Sequence, residues 1–127
     1  MDACGSFGGA AVGVTYSFQV GAYTKIGRLV CLNFNILLSN KGSSTGDLTI
    51  TGLPFTVNNS ASGTNGKLDW TTTVTALIGA SILTNTSATT AAIAGWTAAT
   101  VSSTAVPIAN TDIANNTQLQ GSFFYIV

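Results

Sequence analysis

Asp2, Asp47, Asp69 and Asp112 are the only carboxylate side chains in a 127-residue chain that has no glutamate and no histidine. Acid/base catalysis needs a group that titrates near neutrality, or a carboxyl pair whose environments push the two apart. A histidine-containing triad, a histidine metal site and a glutamate acid/base pair are therefore excluded by the absence of their side chains. The four aspartates are scattered, which argues against glycoside cleavage by an aspartate pair. Asp47 and Asp69 also lack the oxygen-ligand spacing of a calcium loop. The sequence thus predicts no catalytic residue, no metal site and no cofactor site, and the chain reads as a non-enzyme.

Cys4 and Cys31 are the only cysteines. Neither has a histidine to activate it as a nucleophile, and the simplest reading is two unpaired thiols in a reducing compartment, one of them buried. A single bridge between them stays open at this level, because spacing alone does not show whether the sulfurs approach. Trp70 lies in phase with Leu68 and Val74 and is expected in the core. Trp96, isolated among small residues, is expected to be the exposed tryptophan and a candidate glycan contact. Asn-x-Ser/Thr triplets begin at Asn58, Asn85 and Asn115, but a chain this rich in Asn, Ser and Thr produces them by chance.

Lys25, Arg28, Lys41 and Lys67 balance the aspartates, so the formal net charge is zero. They are dispersed and form no stripe that could track phosphates, which argues against nucleic-acid binding. Apolar runs are broken by Asn or Thr well short of a membrane span, and no basic leader precedes an apolar run; the expectation is a soluble, unsecreted protein with no membrane partner. Only 6% of residues are charged, against about 25% in ordinary domains. With 46% hydrophobic residues and a mean hydropathy of +0.43, polarity comes mainly from Thr, Ser and Asn. Such a surface repels copies of itself weakly, which suits a protein packed against neighbours in an assembly.

These residues are carried on elements with a period of two. Val12, Val14, Tyr16, Phe18 and Val20 alternate with Gly13, Thr15, Ser17 and Gln19, the pattern of a half-buried strand. Val30, Leu32, Phe34, Ile36 and Leu38 share one face of a second strand whose other face is mixed. Residues 21–27, bracketed by glycines, read as a short strand between them. Residues 39–46 form a loop, 47–51 a strand, and Pro54 marks a corner or edge, since it donates no backbone hydrogen bond. After a loop over 58–66, residues 68–78 alternate as one long strand. Residues 84–104 are almost wholly Thr, Ala and Ser, and their β-branched content favours short strands. The closing strand, 119–127, is apolar on both phases and is expected to be covered on both faces. Some eight short strands without an amphipathic helix predict an all-β, antiparallel, jelly-roll-like sandwich over residues 12–127. The Gly/Ala-rich residues 1–11 are expected to form an N-terminal arm.

The segment Gly21-Ala22-Tyr23-Thr24-Lys25-Ile26-Gly27-Arg28-Leu29-Val30, followed by Ser44-Thr45-Gly46-Asp47-Leu48-Thr49-Ile50-Thr51-Gly52-Leu53-Pro54-Phe55, resembles a domain of tailed-bacteriophage structural proteins. Those are small β jelly-roll proteins, including head decoration (cement) proteins, with a related domain at tail-fibre tips. The closing Gly121-Ser122-Phe123-Phe124-Tyr125 is similar to the family's last strand. The residues themselves have structural roles to offer. Tyr23 brings a large ring with a hydroxyl, Gly27 and Gly52 permit turns, and Leu53-Pro54-Phe55 fixes a corner, with Lys25 part of the same motif.

The resemblance implies a virion protein, made in the host bacterial cytoplasm and located on the outer surface of the head. It would bind the major capsid protein, and the family points to a homotrimer. Met1, Asp2 and Phe7 are the candidate partner-docking residues, with Phe7 anchoring the arm. No fibrous stalk, collagen repeat or heptad accompanies the β domain, so the domain alone is expected to be the protein. The alternative is a tail-fibre or receptor-binding module that contacts host surface glycans through Trp96 or the loop at 58–66.

Overall fold

The computed structural model describes residues 4–7, 12–58, 66–73, 76–97 and 105–127. Among these residues the strands are β1 (Cys4–Phe7), β2 (Thr15–Ile26), β3 (Leu29–Asn40), β4 (Leu48–Thr51), β5 (Gly66–Thr73), β6 (Leu77–Thr84), β7 (Thr90–Thr97), β8 (Val106–Pro107) and β9 (Ile113–Ile126). They form two antiparallel sheets, one ordered β1-β4-β7-β6 with β8 added to β7, the other β2-β3-β9-β5. The sheets pack face to face as a β sandwich, the fold class that the alternating sequence predicts.

The core follows directly from that alternation. Every even position of β3 from Val30 to Leu38 is buried, and so are Leu68 of β5 and Leu119, Phe123 and Tyr125 of β9. Opposite them the other sheet supplies Leu48, Ile50, Ile82, Ala91 and Ile93. Each such aliphatic or aromatic side chain contributes about 1.5–3 kcal/mol when taken out of water. The β2–β3 hairpin closes through Gly27-Arg28, with Ile26 opposite Leu29. Gly27 has φ +59° while Arg28 is not in the left-handed region. That is the pattern of a type II′ turn, which wants glycine at its first central position.

Several expectations change at particular residues. Residues 21–27 are continuous with the strand before them, so β2 is one strand of 12 residues. Its pairing with β3 shifts on either side of Tyr16, and Ser17 is left without a partner. This bulge changes the phase of the strand. Tyr16 opposes Leu38 on the core side, but Phe18 and Val20 oppose Leu37 and Asn35 on the outward side. The single apolar face expected from Val12 to Val20 is thus split between the two sides of the sheet. Cys31 occupies an odd position of β3 and is an exposed free thiol rather than a buried one. The run at 68–78 is two strands in different sheets, β5 ending at Thr73 and β6 starting at Leu77. The Ala/Thr-rich region contributes β7, an inner strand with Ile93 fully buried. Its alternation is hard to see because Ala92 and Ala94 on the outward side are also apolar.

Part of the expected arm belongs to a sheet: Cys4–Phe7 pairs antiparallel with β4 as an edge strand. The closing strand β9 is covered on its inner side only, since Phe124 on the other side is 45% exposed.

Candidate functional site

The two halves of the sequence motif meet in space. The register Tyr23↔Leu32 and Lys25↔Val30 puts both side chains on the inward side of edge strand β2. After β4 the chain turns at Gly52, with φ +77°. Residues 52–58 then cross one end of the sandwich. Leu53 and Val57 are buried, and their N–H groups donate to the carbonyls of Thr89 and Ala88, while Asn58 N–H donates to Ile126 O. Phe55 is carried against β2, where its ring meets Tyr23 edge to face at 5.5 Å between centroids. The Lys25 ammonium lies 5.4 Å from the Phe55 centroid and donates to Gly27 O at 2.7 Å. An aromatic edge and a cation over a ring face are both favourable placements for the ring quadrupole.

Beneath this cluster the Phe55 N–H donates to Tyr125 Oη at 3.3 Å. Tyr125 is only 2% exposed. Burial pushes its phenol above the ordinary value; the Phe55 N–H works in the opposite direction, and Tyr23 adds a smaller upward push. Tyr125 is therefore a neutral structural hydroxyl near pH 7. The cluster offers packing, one exposed phenol ring at Tyr23 and a cation already engaged at home. It contains no activated nucleophile and no acid/base pair.

The other cations are similarly engaged. Arg28 Nε donates to Val127 O at 2.8 Å, which ties the hairpin turn to the C-terminal residue. Lys41 Nζ donates to Asn110 O and Ile113 O, while Asn110 Nδ2 donates back to Lys41 O. Lys67 pairs with Asp69 at 2.9 Å. Among the described residues no three of Cys, Asp, Glu or His gather as a metal site. No helix among them is long and apolar enough to cross a membrane.

The remaining candidates are dispersed. Met1 and Asp2 lie outside the described residues. Phe7 pairs through its backbone with Leu48, and its side chain is likewise outside the description. Trp70 packs against the core from β5. Trp96, expected to be exposed, is half-buried. Its cross-strand partner is Gly79, where an added Cβ would lie 3.2 Å from the indole, so the ring spreads over the space that the glycine leaves.

The surface that sequence reasoning missed is the outward face of the β2-β3-β9-β5 sheet. Phe18, Val20 and Ile26 of β2 and Phe124 of β9 stand there 38, 59, 70 and 45% exposed. Between them run the amides Asn33, Asn35, Gln118 and Gln120, with Gln118 Nε2 donating to Asn35 Oδ1 at 2.9 Å. An open hollow of about 380 Å³ lies beside Phe124, lined also by Cys31, Asn33, Lys67 and Ser122. A second, of about 180 Å³, is lined by Val20, Ala22, Asn33 and Asn35. The signal was present in the mixed second face of β3 and in the apolar character of both phases of β9. It was hidden in β2 because the Ser17 bulge is not written in the hydrophobic pattern. Comparison of the chain with protein-family models, with curated proteins and with solved structures found no match.

Proposed function

We propose that this chain is a structural protein of a tailed-phage virion, a head decoration or cement protein that binds the major capsid protein on the outer face of the assembled shell. The observation behind the reading of a protein built into a many-copy assembly is the outward face of the β2-β3-β9-β5 sheet: large apolar side chains stand in water on a neutral domain whose four cations are all engaged within the chain. Exposed apolar patches rimmed by polar residues mark interaction surfaces, and nothing in the Tyr23-Lys25-Phe55 cluster offers catalysis instead. We read the sandwich as jelly-roll-like, because β3 and β9, far apart in sequence, are neighbours in one sheet while β4 and β7 are neighbours in the other. The resemblance points to a trimer.

The mechanism is mass action. A protein that binds the assembled lattice and not its separated subunits shifts the equilibrium toward the intact shell. Several copies held together engage adjacent capsid subunits with added avidity. The test is incubation of the purified protein with purified heads, followed by sedimentation and cryo-electron microscopy. Density distributed over the head surface is expected; absence from pelleted heads overturns the reading. Deleting residues 1–11 is expected to lower head occupancy, and unchanged occupancy would remove the docking role of Met1, Asp2 and Phe7.

A receptor-binding module at a tail fibre is the second reading. It is favoured by Trp96, whose half-buried indole rests above Gly79 on the outward side of its sheet, where a flat aromatic surface suits stacking by a sugar ring. Label confined to the fibre end, together with loss of glycan binding in Trp96→Ala, is its signature.

A further inference from the structure

We infer that the outward face of the β2-β3-β9-β5 sheet is the surface through which copies of this chain pack against one another. The inference deepens the proposed function by naming the contact between copies, and it rests on the multi-copy part of that reading; a face that meets its own copy is a two-fold contact, so it pairs copies and does not itself build the trimer. Three features of the face select a second copy as its occupant.

The first is size. β2, β3, β9 and β5 contain 12, 12, 14 and 8 residues. At ~3.3 Å per residue and ~4.8 Å between strands, the face measures ~700 Å². A standard specific interface takes about 800 Å² from each partner. Covering this one face therefore supplies most of what a stable contact between two copies requires.

The second is charge. The charged side chains on the face are Lys67 and Asp69, which neutralise each other at 2.9 Å. A neutral face gives a partner of opposite sign nothing to recognise, and it puts no like charges together when it meets its own copy. Its polar groups include four amides beside the hydroxyls of Thr24, Thr71 and Ser122, and each amide carries both donors and an acceptor. Gln118 and Asn35 already bond each other within the chain, and Asn33 and Gln120 can pair with amides of a second copy, donor to acceptor.

The third is relief. Val20 and Phe124 project beside the two hollows that Asn33 helps to line. The face thus carries apolar projections and open hollows side by side, the relief that lets one copy seat against another. The closing strand also makes sense on this basis: Phe124 and Ile126 give β9 the two apolar phases of a strand covered on both sides, and the single chain covers only one.

Cys31 is an exposed thiol on this face, opposite Phe124 in the β3–β9 register, and it reports directly on cover. In a Cys4→Ser background, light scattering is expected to show an oligomer, and Cys31 is expected to react with a maleimide at least about tenfold more slowly than in unfolded chain, as for a site inside a packed interface. Val20→Glu and Phe124→Glu change outward side chains. Each is expected to keep the native circular dichroism spectrum, to raise the dissociation constant by about tenfold or more, and to restore thiol reactivity. Leu83→Glu, on the outward side of the other sheet, is expected to leave the mass and Cys31 protection unchanged. A monomer with reactive Cys31 at the highest concentration the protein tolerates overturns the inference. So does an oligomer whose mass and Cys31 protection are indifferent to both glutamates. If Cys31 becomes protected only when heads are added, the shell and not a second copy covers the face; that outcome also overturns this inference while leaving head decoration intact.

Discussion

The two sheets share a core but present different surfaces to water. Outward from the β1-β4-β7-β6 sheet stand Thr49, Thr51, Ser81 and Ala92, small groups for which exposure costs little. The exposed large aliphatics of that sheet are Leu83, Ile78 at an irregularity of the β6 pairing, and Val106 on the two-residue β8 at its margin. Outward from the other sheet stand Phe18, Val20, Ile26 and Phe124 amid a row of amides. Both sheets obey the same period of two, so the difference lies in what fills the solvent-side positions. Sheet geometry fixes which positions face outward; the choice of residues there reflects what those positions meet.

The sharpest way to break the comparison is at adjacent residues. Phe123 is 3% exposed and packs edge to face with Phe34, whereas Phe124 points the other way. Phe123→Ala is expected to cost about 3–5 kcal/mol in urea denaturation, the range for emptying a packed aromatic site. Phe124→Ala, measured on the dissociated monomer, is expected to cost about 1 kcal/mol or less, in proportion to its smaller buried area. Equal losses would mean that both sides of β9 are packed within one chain.

Next in size is Tyr125, which joins the core to the motif cluster. Tyr125→Phe leaves the Phe55 N–H without its acceptor, at an expected cost of about 1–2 kcal/mol. The pH dependence has a definite sign. Burial raises the phenol above its ordinary value of 10.0, so the native state keeps a proton that the unfolded chain releases. The contribution is complete below that value and declines as pH rises above it. Subtracting the alkaline stability curve of Tyr125→Phe from that of the natural sequence should leave a difference that shrinks above pH 10.0; a difference that grows there would contradict the burial of this group.

The smallest effect is expected at the Lys67–Asp69 pair, whose side chains are 77% and 50% exposed. Lys67→Ala should change folding stability by less than about 1 kcal/mol, because exposed pairs gain little over water. A larger change in oligomer affinity than in folding stability would place β5 within the contact between copies.

Much of the fold was legible because β3 and β4 carry an unbroken apolar phase at every second position and those are the buried residues. The corner at residues 52–58 was legible as well, since Gly52 and Pro54 constrain the backbone locally. Three features were not. The Ser17 bulge depends on how β2 pairs with β3, which is a property of two strands together. The break between β5 and β6 falls in a run whose alternation continues through it. The identity of β7 was masked by alanines on both sides, for which size carries no phase. The motif residues could be singled out one by one, but the stacking of Lys25 and Tyr23 on Phe55 arises only when the 52–58 crossing returns to the hairpin. The outward face emerged last because it needs the phase of all four strands at once.

The unpaired Ser17 makes β2 a strand read in two frames, with Tyr16 addressed to the interior and Phe18 onward to the exterior. One inserted residue thus decouples folding from display. The downstream outward positions can vary to suit a neighbour while the upstream inward positions remain answerable only to the core, and a loss of that residue would exchange the two audiences along the rest of the strand.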